Sequence, residues 1–195
     1  QQRLLKETYE GYVRNGALLQ GEDRERLKSL NEELSTLSLK FGEHVLGETQ
    51  AFEYHCTDAA ELRGLPQDEI DAAAQTARQK GKEGYILGLD MPTYIAVMKY
   101  ADSIYLRKHF YTAYASRGAG SNEYNNEEVV THLVNLRLER AKLLGFESHA
   151  ALTLSKRMAK TPETVMEFLD HLKGVAAPAA QKDVAEVSAF AETQG

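Results

Sequence analysis

The chain has 195 residues, 23 Lys+Arg against 29 Asp+Glu and a net charge of −6, which allows one or two domains and a substantial core. That acidic balance, a pI near 5.6 and the lack of any local lysine and arginine cluster argue against a phosphate-binding face of the nucleic-acid kind. Apolar runs of a few residues are well short of the ~20 needed to cross a bilayer, no signal-peptide pattern opens the chain, and the single Cys56 has no internal disulfide partner, which suits a reducing compartment.

Taken in order, QQRLLKETYEGYVRNGALL reads as a helix with Leu4, Leu5, Thr8, Tyr9 and Tyr12 at helical spacing, stopped near Asn15 and Gly16. From Asp23 to about Thr49, Leu27, Leu30, Leu34, Leu37 and Phe41 recur at alternating steps of three and four, continued by His44 and Val45. That is a coiled-coil-like seam too short for a true coiled coil, so it predicts one helix of an antiparallel pair. AFEYHC, ending at Cys56, and GYILGL, residues 84–89, alternate or carry β-forming residues and predict two short strands. Between them GLP marks a turn, and the alanine-rich run from Gln67 to Lys80 predicts a helix closed by Gly81. Pro92 suits the first turn of a helix PTYIAVMKYA. Asp102 and Ser103 start another, running toward Gly118, on which Ile104, Leu106, Phe110, Tyr111 and Tyr114 share a side with Arg107. GAGSN, residues 118–122, reads as a flexible hinge candidate.

The next stretch, Asn125 to Lys160, organises the rest. Asn125 and Glu128 have capping-box spacing, which places a helix start at about Asn125. At 100° per residue, Val129, Val130, Leu133, Val134, Leu136, Ala141, Leu143 and Leu144 gather on one broad arc, opposite Glu128, Asn135, Glu139 and Lys142. Gly145 ends the helix and Ser148 caps a second one. Thr161-Pro162-Glu163 is a further N-terminal signature, opening a helix that carries Val165, Met166, Leu169 and Leu172 and ends at Gly174. A last helix is expected from about Pro178, with Val184, Val187, Phe190 and Ala191. Gln1 in place of Met and the polar ending AETQG both fit a segment cut from a longer polypeptide.

Chemistry-bearing residues are sparse. Glu128 with His132 and Glu167 with His171 stand at i,i+4, a spacing that helical metal sites use but that surface contacts share. No nucleophile elbow, phosphate loop or Cys-x-x-Cys occurs, and Cys56 beside His55 would point to opposite faces of a strand. Arg137 and Arg140 fall within the apolar arc. Each is read either as a structural ion pair or snorkelling side chain, or as a two-pronged clamp on a substrate carboxylate. The aromatic stripe on the 103–118 helix is read as core, with Tyr111, Tyr114 or Arg117 lining a peptide channel as the other reading.

The run LRLERAKLLGFESHAALTLSKRMAKTPETVMEFLDHL, preceded in order by GYVRNGALLQGEDRERLKSLNEELSTLSLKF, ELRGLPQDEI and YLRKHFYTAYASRG, resembles the thimet-oligopeptidase-like zinc metallopeptidases, and most closely their bacterial peptidyl-dipeptidases. The likeness covers essentially the whole chain. Such enzymes work through His-Glu-x-x-His on a helix, with two zinc ligands and a general base. No such motif occurs here.

The resemblance implies a mainly α, multi-helix antiparallel array with a short β-hairpin excursion at about 50–90, forming one helical segment, 1–195, that precedes the catalytic half. It implies a wall of the substrate channel in an enzyme releasing dipeptides from the C-terminus of oligopeptides. Zinc would belong to the parent enzyme, with no metal ligand and no catalytic residue in this chain, which alone would be inactive. Its partners would be the oligopeptide substrate and the catalytic half of the same polypeptide, without nucleic acid or membrane, in the cytoplasm or alternatively the periplasm. Candidate substrate-binding residues are Arg107, Tyr111, Tyr114, Arg117, Arg137 and Arg140. The alternatives are an endopeptidase of the oligopeptidase A kind, and a non-enzymatic module that docks helices or peptides through the Leu27–Phe41 seam.

Overall fold

A computed structural model describes residues 1–194, so Gly195 of the polar ending lies outside the described residues. Eight helices occur among them: α1 (Gln2–Arg14), α2 (Gly21–Ala51), α3 (Gln67–Gln79), α4 (Met91–Tyr100), α5 (Ile104–Ala115), α6 (Glu127–Leu143), α7 (His149–Leu154) and α8 (Pro162–Gln194). Two strands, β1 (Tyr54–Cys56) and β2 (Tyr85–Leu87), complete the set. The fold is mainly α, as expected. The chain divides into a continuous unit, residues 31–135, and a discontinuous unit made of residues 1–30 with those from 136 onward.

The continuous unit holds the principal core. Cys56, Leu62, Leu65, Ala73, Leu87, Leu89, Val97, Ala101, Leu106 and Phe110 pack as one buried cluster. Phe52, Tyr54 and Phe110 meet edge-on or tilted with ring centroids 5.2–5.9 Å apart, the geometry in which a positive ring edge meets a negative face. The strands pair antiparallel in the register Tyr54↔Leu87, His55↔Ile86, Cys56↔Tyr85. The β excursion is present, but its strands are joined through a 3-10 turn (Ala59–Leu62) and α3, and not through a tight hairpin turn. Gly64 sits at φ +88, where a Cβ would come within 2.1 Å of the Tyr100 carbonyl oxygen, so the turn before α3 is open to glycine alone. A carboxylate and a hydroxyl cap α4 and α5, the second at the Ser103 that the sequence marks as a start. Asp90 accepts from the Thr93 N–H at 3.1 Å and Ser103 from the Leu106 N–H at 3.2 Å, each satisfying a donor the first turn leaves free.

The stretch expected to be a hinge is tied down instead. Glu48 accepts from the Gly118 N–H at 2.5 Å and from Asn122 Nδ2 at 2.7 Å, while Asn125 Nδ2 donates to the Gly120 carbonyl at 2.8 Å. The capping box also differs from expectation. The Asn125 side chain accepts from the Glu127 N–H at 2.9 Å, but its own N–H goes to Asn122 O, leaving nothing for Glu128 to reach back to. Consequently α6 starts at Glu127. Its buried stripe is narrower than the arc drawn from the sequence: Asn126, Val129, Leu133, Leu136 and Ala141 are buried, whereas Val130 and Val134 are exposed. Steps of three and four from Asn126 to Leu136, then one of five to Ala141, give a single seam, and the neighbouring apolar positions fall beside it.

In the discontinuous unit, Leu27, Leu30, Leu136, Ala141 and Leu152 are buried. The end of α6 follows its signals: Gly145 has φ +83 and the Phe146 N–H reaches back to the Ala141 carbonyl at 2.9 Å, the six-to-one bond of a Schellman turn. Ser148 then accepts from the Ala151 N–H at 3.1 Å to cap α7. Arg26 of α2 holds Glu139 of α6 with both oxygens, at 2.6 and 2.7 Å.

The two helices expected after Thr161 are one, α8, with Gly174 and Pro178 inside it. Pro178 has no N–H to give the Gly174 carbonyl, a loss of one helical bond costing about 3 kcal/mol. Alanines 176, 177, 179 and 180 flank it and favour continuing the helix. None of the described residues of α8 is buried.

Candidate functional site

Four candidate residues lie on or just after α5 in the continuous unit. Arg107 is spent locally: its Nη1 donates to the carbonyls of Ala101 and Asp102, the latter at 3.1 Å. It closes the carbonyls left open where α4 ends, a structural task. Tyr111 is 58% exposed, so the stripe is core through Leu106 and Phe110, with Tyr114 half-buried against the same cluster. Ile104 and Tyr111 fall one step round the helix and face solvent.

Tyr114 and Arg117 form one array together with residues the sequence did not single out. The Tyr94 ring of α4 stacks on Tyr114 with centroids 4.1 Å apart and planes 20° from parallel. The Arg117 guanidinium carbon lies 3.5 Å from the Tyr114 ring centroid, a cation over a ring face. Arg117 also donates to the Tyr114 carbonyl at 3.0 Å and to the Thr49 hydroxyl at 2.9 Å. With Nε and Nη1 each donating within the fold and the guanidinium lying over the Tyr114 ring, Arg117 stiffens the Tyr94–Tyr114 stack. The Tyr114 hydroxyl makes only a long contact, 3.6 Å to Met91 Sδ, and a thioether is a weak acceptor.

Arg137 and Arg140 lie in the discontinuous unit. Arg137 is exposed, one step off the buried seam, and Arg140 is half-buried on it. Arg140 lines a cavity of about 340 Å³ with Gly11, Arg14, Asn15, His149, Leu152, Thr153, Lys156 and Arg157. Burial first, then the charges of Arg137 and Arg140, push the His149 imidazole below its ordinary range, because both disfavour its cationic form.

The continuous unit also carries Cys56, whose thiol burial pushes up to about 11, so it is a poor nucleophile at neutral pH. Burial, and then a 2.5 Å hydrogen bond to Glu61, push the Tyr54 phenol up to about 12.

Among the described residues no three of His, Cys, Asp and Glu come together as metal ligands would. Glu128 and His132 share a shallow surface pocket with Glu127 and Thr131, a donor set that does not fit the closed tetrahedral shell zinc takes. These side chains therefore do not fit a zinc ion, and no step of chemistry follows through one here. No helix of the described residues is long and apolar enough to cross a membrane.

A family profile described as Peptidase family M3 matches residues 97–195. Oligopeptidase A of Haemophilus influenzae is 34% identical over 198 residues, covering 100% of this chain and 29% of that protein. The organellar oligopeptidase A of Arabidopsis thaliana is 37% identical over 201 residues, covering 100% of this chain and 25% of that protein. Dipeptidyl carboxypeptidase of Salmonella typhimurium is 33% identical over 181 residues, covering 92% of this chain and 26% of that protein. The chain thus spans between a quarter and 29% of the length of these curated relatives.

Proposed function

The chain belongs to peptidase family M3, and from that premise we propose that it is the segment preceding the catalytic half of a zinc-dependent peptidase that cleaves oligopeptides. The carrying observation is the family match on a chain that holds no His-Glu-x-x-His among its 195 residues. In that enzyme the zinc and general base come from residues outside this sequence, and this chain alone does not hydrolyse peptides. Its part is to shape access: helices that admit an extended peptide and hold its backbone while excluding folded proteins. Tyr111 and the Tyr114 hydroxyl are the groups suited to that in the continuous unit, because both keep donors that no side chain or carbonyl of the fold takes up well. Exposed Phe168, Leu169, Leu172 and Val175 on α8 make an apolar face of the kind a further part of a longer polypeptide buries. A cytoplasmic setting belongs to the same proposal, supported by the single buried thiol.

For specificity we favour cleavage within peptides, supported by 34 and 37% identity to oligopeptidases A over the whole chain. Release of C-terminal dipeptides is the second reading, supported by the 33% identity to a dipeptidyl carboxypeptidase over 92% of the chain. Amidating the C-terminus of a peptide separates them. A dipeptide-releasing enzyme recognises the free carboxylate and loses most of its rate on the amide, while an internal cutter is indifferent.

The test uses the full-length protein and this 195-residue chain side by side, with bound zinc counted and with free-acid and amidated octapeptides as substrates. The expected outcome is zinc and hydrolysis in the longer protein only, at equal rates on the two peptides. Hydrolysis by the 195-residue chain with its own stoichiometric zinc overturns the reading. Tyr111→Phe in the full-length protein is expected to raise KM several-fold at unchanged Tm; an unchanged KM removes Tyr111 from the channel wall.

A further inference from the structure

Tyr114 is fixed everywhere except at its hydroxyl. The Tyr94 ring lies 4.1 Å from it, centroid to centroid and near parallel, and the Arg117 guanidinium carbon lies 3.5 Å from the same centroid. Two groups that close cannot share one face without overlapping each other. They therefore take opposite faces, and the phenol is sandwiched between a ring and a cation.

Arg117 is itself held from two directions. Its Nε donates to the Tyr114 carbonyl at 3.0 Å and its Nη1 to the Thr49 hydroxyl at 2.9 Å, which in turn donates to the Val45 carbonyl at 2.7 Å. This chain of bonds anchors the clamp on α2. A side chain immobilised in this way has already lost the rotamer freedom that a loose tyrosine would lose on meeting a ligand. Only its hydroxyl is weakly engaged, 3.6 Å from the thioether of Met91, a residue 51% exposed. A carbonyl oxygen is a far better acceptor than that sulfur and would displace it readily.

We propose that the Tyr114 hydroxyl donates to a backbone carbonyl of an extended oligopeptide, and that Tyr94, Arg117 and Thr49 are positioning residues for that one bond. The inference rests on the peptidase reading above and adds to it the donating atom, the kind of acceptor and the residues that aim the bond. A lone hydroxyl directed at the main chain reads no side chain. Its contribution is therefore the same for peptides of different sequence, which a pocket for a side chain would not give.

Steady-state kinetics of the full-length protein on several oligopeptides of unrelated sequence test it. Tyr114→Phe keeps the stack and removes the hydroxyl. KM is expected to rise about fivefold on every peptide, the loss of one neutral hydrogen bond, with kcat within about twofold. Arg117→Lys keeps the charge but loses the planar face and the fork, and Thr49→Val removes an acceptor of Arg117 without touching the ring. Each is expected to raise KM about threefold, and Thr49→Val still reports on the clamp if Arg117→Lys fails to fold. In a Tyr114→Phe background neither change should raise KM further, because both act through the hydroxyl. A further rise of the same size in that background overturns the positioning role, since a merely structural effect does not depend on the hydroxyl. An unchanged KM in Tyr114→Phe, or a rise confined to one peptide, overturns the backbone contact while bound zinc and hydrolysis leave the peptidase reading standing. A full-length protein with neither zinc nor hydrolysis overturns both together.

Discussion

Residues 31–135 and helix α8 represent opposite ways of keeping a chain folded. In the first, Phe110, Leu62, Leu89, Leu106 and Val97 are all essentially sealed from solvent around one cluster. In the second, 33 consecutive helical residues bury none of their side chains. Most helical stability in proteins comes from packing an apolar face, not from propensity, so the first region has what it needs internally. Helix α8 relies on backbone hydrogen bonds, alanine-rich composition and its Thr161 cap, which accepts from the Thr164 N–H at 3.3 Å. The difference teaches that the two regions should respond very differently to the same kind of substitution.

The largest expected effect is in the sealed cluster. Phe110→Ala should cost about 3–5 kcal/mol of stability, the lost transfer energy plus a cavity its neighbours cannot fill. The matched change Leu172→Ala, at a site 46% exposed, should cost less than about 0.5 kcal/mol. Urea unfolding of the 195-residue chain followed by circular dichroism measures both, and similar costs would break the comparison. Next comes Gly64→Ala. Left-handed strain on a residue with a side chain costs of order 1–3 kcal/mol, and the Cβ would be pressed against the Tyr100 carbonyl and the Asp102 backbone. A destabilisation of at least about 2 kcal/mol is expected, read in the same way.

How much of this was legible beforehand differs between the two regions for the same reason. The strands at Tyr54–Cys56 and Tyr85–Leu87, the Ser103 and Ser148 caps and the Gly145 stop are local devices, so residue type and spacing reveal them. Gly174 and Pro178 are equally strong local signals, yet they mislead, because a long helix tolerates one missing bond. Tertiary assembly is what spacing cannot show. Arg14, Arg140, Lys156 and Arg157 come from three separate stretches, so no lysine and arginine cluster appears along the chain, although the fold makes one. The pairing of Tyr94 with Tyr114 likewise joins two helices. Of the candidate site residues, Arg107 stood among the substrate-binding candidates because its carbonyl partners, Ala101 and Asp102, are invisible as acceptors in a sequence.

A smaller effect is expected where α2 meets α6 in the discontinuous unit. Arg26 and Glu139 form a two-pronged pair, and the hydrogen bond from Arg26 holds the Glu139 carboxyl below its ordinary range. Both side chains are nearly half exposed, and water and salt screen the attraction. A double-mutant cycle of Arg26→Ala and Glu139→Ala should therefore give a coupling of about 0.5–1 kcal/mol that shrinks in high salt. A coupling several times larger would mean that surface ion pairs secure this unit in place of a core.

The smallest expected effect is a pH slope from His149. Its folded-state value is lowered, by burial first and then by Arg137 and Arg140, while the unfolded imidazole titrates near its ordinary 6.5. Above about pH 6.5 both states hold the ring neutral and it contributes no slope. As pH falls below that, the unfolded chain takes up a proton that the folded ring resists. Stability is therefore lost until the pH passes the lowered folded value. Replacing the ring with an uncharged amide, His149→Gln, should flatten that part of the pH dependence. The urea midpoints of both proteins at pH 7.5 and 5.5 measure it, and the difference between the two proteins removes the contributions of the other five histidines. If the variant loses as much stability as the parent over that interval, the ring is not held neutral by its cationic surroundings. If it loses less, the surroundings of His149 repel positive charge in the folded chain, as the arginines on α6 require.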